Sequence, residues 1–238
     1  MGCDIHFYVE KRIDGRWVTG DTWTPDKYSD TPGALCLEHS NRLYSGRHYD
    51  LFSILADVRN GRGFAGVETG MGFVPISPPR GVPADACPEY AQEVEQWGCD
   101  GHSHSWLTLQ EILQFDWSQK SRKTGVVTPH QLLRWKTDGA PTSWSGMTIG
   151  PDIEIFDASD ISEDELIDYL RRVRAEPDPG WLDGARVAFR GCSRPHFRVH
   201  WDTLYSQVGE HFLSTTVPRM AAMADSWKDV RAVFFFDN

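Results

Sequence analysis

At 238 residues, with 40% hydrophobic and 24% charged residues, the chain has enough length and apolar material to bury a core, which argues against disorder. Its formal net charge of −10 argues against wrapping of duplex nucleic acid by general electrostatics. Five Cys, odd in number and without a Cys-x-x-Cys pair, argue against both a secreted disulfide framework and a thiolate zinc site, and fit a reducing cytoplasm.

No apolar run approaches the roughly 20 residues needed to cross a bilayer, and MGCDIHFYVEKR lacks the layout of a signal peptide, so a cytoplasmic protein without membrane contact is expected. The opening Met-Gly-Cys brings acylated termini to mind. Position 6 is His6, however, where the myristoylation pattern asks for Ser or Thr.

In chain order, residues 3–10 alternate as a strand, with Cys3, Ile5, Phe7 and Val9 on one face and Asp4, His6, Tyr8 and Glu10 on the other. The polar face is expected to meet solvent or to floor a cleft. Asp14-Gly15 predicts a tight turn into Arg16-Trp17-Val18, and the stretch to Asn41 reads as a long loop. Leu51, Ile54, Leu55 and Val58 share a helical face over 49–59, with Asn60-Gly61 as the stop. The Gly- and Pro-rich run that follows is expected to be a lid or binding loop, and a short helix to cover 88–97.

Thr108 and Glu111 form a capping-box pattern that puts residues 100–105 in a loop before a helix, and Ser162 with Glu165 opens a second helix with the stripe Leu166, Tyr169, Leu170 and Val173. That helix is expected to end before Asp178-Pro179-Gly180. Residues 186–189 and 195–199 read as short strands, and Trp201, Leu204, Tyr205, Val208 and Phe212 have helical spacing. Pro218 suits the first turn of a helix running to about Trp227. The near-continuous apolar run 230–236 predicts a central strand covered on both faces. Together these predict one α+β domain over residues 1–238, with both terminal strands in one mixed sheet, helices packed against it and long Gly/Pro-rich loops.

Two constellations carry candidate chemistry. Asp4-x-His6 and Asp100-x-His102-x-His104 combine carboxylate and imidazole at spacings that suit zinc or manganese, with Asp4, His6, Asp100, His102 and His104 as ligands. Asp4, His6, His102 and His104 are then the candidate catalytic residues of a metal-dependent hydrolase that activates water. The structural alternative is that Asp4 and His6 bond to neighbouring strands and that His102 and His104 cap the following helix. The second constellation is a basic island in which His196, Arg198 and His200 share one face of an extended segment while Phe197 and Val199 anchor the other. Such a face suits phosphate or carboxylate, and Arg47 and Arg80 are further anion-binding candidates, although surface Arg most often pairs with nearby acids. No Gly-x-Ser-x-Gly elbow, Walker loop or dinucleotide fingerprint is present, and Cys3 points to the apolar face, away from His6.

The segments MGCDIHFYVEKR, RHYDLFSILADVRNG, PISPPRGVP, HSHSWLTLQE and DVRAVFFFDN, spread over nearly the whole chain, resemble a family of uncharacterised proteins from bacteriophages and bacteria. The resemblance implies a phage or prophage accessory protein acting in the host cytoplasm and supplies no catalytic residues. Two functions are expected from this combination. One is binding, with hydrolysis as an enzymatic version, of a phosphorylated small molecule or nucleotide such as a host defence signal, on which Trp23, Trp97 or Trp106 would stack from loops. The other is a non-catalytic module that binds a host protein or sequesters a ligand.

Overall fold

In the computed structural model, which describes residues 2–30, 32–175 and 187–237, strand β1 (Ile5–Ile13) turns at Asp14-Gly15 into β2 (Arg16–Thr19). Both turn residues have positive φ, 49° and 79°, the conformation that a two-residue hairpin with right-handed strand twist requires. On its other side β1 pairs antiparallel with β9 (Val230–Phe236), which also pairs antiparallel with β5 (His102–Thr108), giving the sheet order β2-β1-β9-β5. The α+β class and the shared sheet of the two terminal strands are therefore as the alternation patterns predict.

Every residue of β9 is buried, as its apolar run requires of a strand with both faces covered. One face packs Ile5, Phe7, Val9, Phe234 and Phe236 against helix α1 (Tyr49–Ala56), α3 (Leu109–Gln114) and the segment holding α6 (Tyr205–Val208) and α7 (Val217–Ala221). The other face packs Tyr8, Val233 and Phe235 against Tyr90 and Cys87 of the α2 segment (helix Pro88–Trp97) and against Leu37, which follows the small hairpin of β3 (Thr24–Pro25) and β4 (Leu35–Cys36). The polar face of β1 is consequently a second core. His6, Tyr8 and Glu10 are 6%, 2% and 0% exposed, which corrects the expectation of solvent or a cleft floor: α2 covers that face.

The chain forms two compact units, each discontinuous in sequence: the first holds residues 1–60, 73–119 and 204–238, the second 61–72 and 120–203. The second unit is built on β6 (Lys120–Val127), β8 (Arg194–Leu204) and β7 (Ile153–Asp157), in the order β6-β8-β7 with β7 and β8 parallel. Helices α4 (Pro129–Asp138) and α5 (Glu163–Ala175) supply Leu132, Leu166 and Tyr169 to its core, with Phe189, Phe197 and Val199. The Ser162 hydroxyl accepts the Glu165 N–H at 3.1 Å, as the capping pattern predicts. Arg186 and Asp178-Pro179-Gly180 lie outside the described residues.

Several local expectations are revised by tertiary context. Helix α1 ends at Ala56, earlier than its apolar stripe, because Asp57 takes the left-handed conformation (φ 60°) and its N–H closes on Phe52 and Ser53. Residues 61–72 are no lid: the Met71 N–H bonds to the Arg122 carbonyl and the Thr124 N–H to the Thr69 carbonyl, so the segment adds to the edge of β6. Residues 102–105 extend as part of β5, since pairing with β9 satisfies their backbone. Trp106 thereby sits on a strand, and Trp97 ends α2. The Phe189 and Cys192 backbones close on each other in a tight turn where a strand was predicted. Trp201 continues β8, so the helix begins only at Tyr205, and α7 stops at Ala221, well short of Trp227. No helix among the described residues is long and apolar enough to cross a membrane.

Candidate functional site

The start of β1, the end of β9 and the start of β5 meet at one end of the four-stranded sheet, and the first constellation lies there. The Asp4 carboxylate is taken by a two-pronged bond from Arg47. Its backbone N–H donates to Asp237 Oδ1 at 2.9 Å, and the Asp237 N–H returns to the Asp4 carbonyl at 3.2 Å, so the chain ends are tied together. His6 Nε2 meets Asp237 Oδ2 at 3.2 Å, and its ring stacks on Phe235 at 4.7 Å with Trp97 at 4.1 Å. Burial lowers the His6 pKa more than the Asp237 bond and charge raise it, which favours the neutral ring donating from Nε2, with Nδ1 left without a partner among the described residues.

This end of the sheet does not gather the expected metal ligands. Ser103, at φ 51°, sits in a bulge, so His102 lies against Phe236 and His104 against Phe235, whose side chains leave β9 on opposite faces. Asp4 is held by Arg47, and Asp100 is exposed in the turn after α2. Among the described residues no group of three or more His, Cys, Asp or Glu is placed to hold a metal ion. Cys3 is fully buried and that burial raises its thiol pKa, which disfavours the thiolate. His48, next to Arg47, caps α1 by accepting the Leu51 N–H on Nδ1.

The basic island lies in the second unit. His196, Arg198 and His200 do share a face of β8, with Phe197 and Val199 buried behind them. Arg198 is exposed and opposite Asp157 in register, His196 Nδ1 meets the Arg194 carbonyl at 3.2 Å, and His200 Nδ1 meets Thr124 Oγ1 at 2.8 Å. The sequence-based candidates are thus divided: His196, Arg198 and His200 belong to the second unit, and Asp4, His6, Arg47, Arg80, Asp100, His102 and His104 to the first.

At the far end of the four-stranded sheet, about 20 Å along β9 from Asp237 by strand rise, Arg80 leads to a different site. A cavity of about 460 Å³ is lined by Arg12, Trp17, Arg80, residues 82–85, Trp106, Thr108, Lys228 and Arg231. Guanidinium groups and indoles alternate along it. Arg12 and Arg231 lie over Trp17 at 4.7 and 4.1 Å, and Arg231 and Arg80 over Trp106 at 5.7 and 4.7 Å.

Each cation is held differently. Arg80 is a clamp: its guanidinium bonds to Ser77 Oγ, the Trp106 carbonyl and both Glu111 oxygens, while Glu111 closes the capping box with Thr108 at the start of α3. Arg231 is only 3% exposed and faces Glu10 directly across the β1–β9 ladder, donating Nε–H to Glu10 Oε2 at 2.5 Å. The other Glu10 oxygen accepts the Cys87 N–H at 2.6 Å, which satisfies the buried carboxylate. Arg12 has Asp229 no nearer than 3.8 Å, and the Lys228 ammonium has no ion pair among the described residues.

Of these residues Arg80, as an anion contact, and Trp106, as a stacking ring, are among the sequence-based candidates. A signal for Arg231 is nevertheless present in VRAVFFF: one charged residue in a strand buried on both faces demands a buried counter-charge, and Glu10 closes the alternating polar face of β1. Trp17 and Lys228 carry no such signal, because only the strand order brings β2 and the turn before β9 together with β5 and Trp106. No protein-family model, curated protein or solved structure matches the chain.

Proposed function

We propose that the protein binds a phosphorylated small molecule or nucleotide at the cavity between Trp17 and Trp106, in the setting of a phage or prophage accessory protein in a bacterial cytoplasm. The observation that carries this reading is the cavity's charge: four cationic side chains, Arg12, Arg80, Lys228 and Arg231, line it against one carboxylate, Asp85, in a protein of net charge −10. Arg12 and Lys228 are the accessible donors, since Arg80 and Arg231 already spend most of their N–H groups on protein acceptors. Phosphate suits such a set because planar guanidinium and mobile ammonium groups both form charge-assisted bonds to its oxygens. The indoles supply flat apolar walls, and binding requires no metal ligand from this end of the sheet.

Titration with inorganic phosphate, a nucleoside monophosphate and a nucleoside diphosphate, followed by calorimetry, tests the reading. Arg12→Gln with Lys228→Gln is expected to weaken phosphate binding about tenfold or more, given about 1.5–3 kcal/mol for hydrogen bonds to charged groups. Arg198→Lys is expected to leave it unchanged. Loss of binding in Arg198→Lys with retention in the double variant would move the site to β8 and overturn the assignment.

A second reading, a module that binds a host protein, is favoured by the exposed apolar side chains of two adjoining loops of the second unit. Phe64, Met71, Met147 and Ile149 are 63%, 86%, 52% and 79% exposed, and Val67 approaches Gly146 so closely that an added Cβ would sit 3.1 Å from it. Met71→Glu with Ile149→Glu is expected to abolish recovery of a partner from bacterial lysate; unchanged recovery, or no partner at all, counts against this reading.

A further inference from the structure

Asp85 is the one acid that lines the cavity, and its placement is unlike that of the other carboxylates around Arg231. Its side chain is 65% exposed while the guanidinium that it contacts is 3% exposed. Oδ1 accepts from Arg231 Nη1 at 2.8 Å, and the Asp85 carbonyl accepts from Nη2 at 3.2 Å. The residue sits on the Pro83–Ala86 turn, closed by the Ala86 N–H on the Pro83 carbonyl at 3.1 Å. Burial would raise the Asp85 pKa, but the bond and charge of Arg231, with a further bond to Trp17, outweigh it and hold the carboxyl below its usual range.

Arg231 does not depend on that carboxylate for its position. Its Nε is held by the buried Glu10, its Nη2 by a backbone carbonyl, and its plane by Trp17 at 4.1 Å. An exposed carboxylate gains little from an ion pair, because water solvates it almost as well when it swings away. The Arg231 donors that it covers, in contrast, are held in place on the wall of the cavity.

We propose that the Asp85 carboxylate is an internal competitor: it occupies on Arg231 Nη1 the place that an anionic oxygen of the ligand takes, and binding displaces it. This rests on the reading that the cavity takes an anion. The apparent dissociation constant is then the intrinsic one divided by the fraction of molecules in which Asp85 has left Arg231, so removing the carboxylate tightens binding without adding a contact. The same logic makes Asp85 a discriminator, since a ligand with a single weakly basic oxygen competes poorly against a resident carboxylate and a phosphate with several charged oxygens competes well.

The test is calorimetric titration of the full chain with inorganic phosphate. Asp85→Ala, checked for an unchanged melting temperature, is expected to bind phosphate about two- to sixfold more tightly than the wild type, and Asp85→Asn to fall between the two because the amide oxygen still accepts from Arg231. Asp229→Asn removes a charge beside Arg12 without touching Arg231, and is expected to change affinity less than twofold. Equal tightening in Asp229→Asn would reduce the effect to net charge and overturn the proposal. Unchanged or weaker binding in both Asp85 variants, with wild-type binding still sensitive to Lys228→Gln, overturns the competitor and leaves the anion site standing. Absence of phosphate binding in the wild type and in both Asp85 variants overturns both. Binding in the Asp85 variants alone supports both.

Discussion

Arg231→Met lowers stability by about 3–5 kcal/mol at neutral pH, the cost of leaving one member of a buried ion pair uncompensated. The geometry behind this figure is a carboxylate at 0% exposure whose only cationic partner at hydrogen-bond distance among the described residues is a guanidinium at 3% exposure, directly opposite on the neighbouring strand. Methionine keeps the volume between Trp17 and Trp106 largely filled, so the loss is electrostatic more than steric. Glu10→Gln alone is also destabilising. In the Arg231→Met background it is expected to restore about 2 kcal/mol, because the amide oxygen still accepts the Cys87 N–H while no bare charge remains. A chemical-denaturation cycle at pH 7 reads this directly, and strictly additive losses in the double variant would show that the pair is not the source of the effect.

Asp21→Asn raises stability at pH 8 by about 2–3 kcal/mol and changes it little at pH 4. Asp21 is 8% exposed; one oxygen accepts the Val9 N–H at 2.7 Å and the other has no hydrogen-bond partner among the described residues. Its role is to continue the β1 ladder where β2 has ended at Thr19, with Gly20 donating its N–H to the Val9 carbonyl at 2.7 Å. The approach at position 20 is close: an added Cβ would lie 2.9 Å from Met223 Sδ, the end of a flexible side chain, and 3.3 Å from that carbonyl. Burial pushes the Asp21 carboxyl up to about 6, against the Val9 bond and the charges of Arg219 and Arg42, which lower it.

The sign follows from which state holds the proton. Between about pH 4 and pH 6 the folded protein binds a proton at Asp21 that the unfolded chain has released, so stability falls as pH rises through this window and stays low above it. A carboxyl pushed up to about 6 costs the folded state roughly 3 kcal/mol once it is ionised, and asparagine removes the penalty while keeping an oxygen for Val9. His6 and His104 act in the opposite sense: burial lowers their pKa values, so their contribution is complete above the ordinary imidazole pKa and is lost as pH falls below it. Thermal unfolding of wild type and Asp21→Asn from pH 4 to pH 8 separates the two trends. A stability difference between these proteins that does not grow with pH would contradict the assignment to Asp21.

The alternation of residues 3–10, the Asp14-Gly15 turn, the apolar run 230–236 and the Thr108–Glu111 capping box were all legible because each is a local pattern whose physics is settled within a few residues. Helix ends and the Trp201–Leu204 stretch were not, because the same spacing serves a strand or a helix until a partner strand claims the backbone. Residues 116–161 gave no readable pattern, yet they hold β6, α4 and β7, whose short apolar stretches are stabilised by each other in the second core.

For the candidate site the division is sharper. Local alternation placed His196, Arg198 and His200 on one face, and so it stands in β8; it could not say that this face is exposed beside Asp157. Spacing grouped Asp4, His6, Asp100, His102 and His104 as one ligand set, and a single bulge at Ser103, created by pairing with β9, sends His102 and His104 to opposite faces. The cavity between Trp17 and Trp106 draws on β1, β2, β5, β9 and the loop at 82–85, with more than 200 residues between its first and last members. Sequence by itself therefore determined the strands and turns, because backbone sterics and hydrophobic periodicity act over neighbouring residues. Only the tertiary structure decided which charges meet, because that depends on strand order and register, which bring Glu10 opposite Arg231 across the length of the chain.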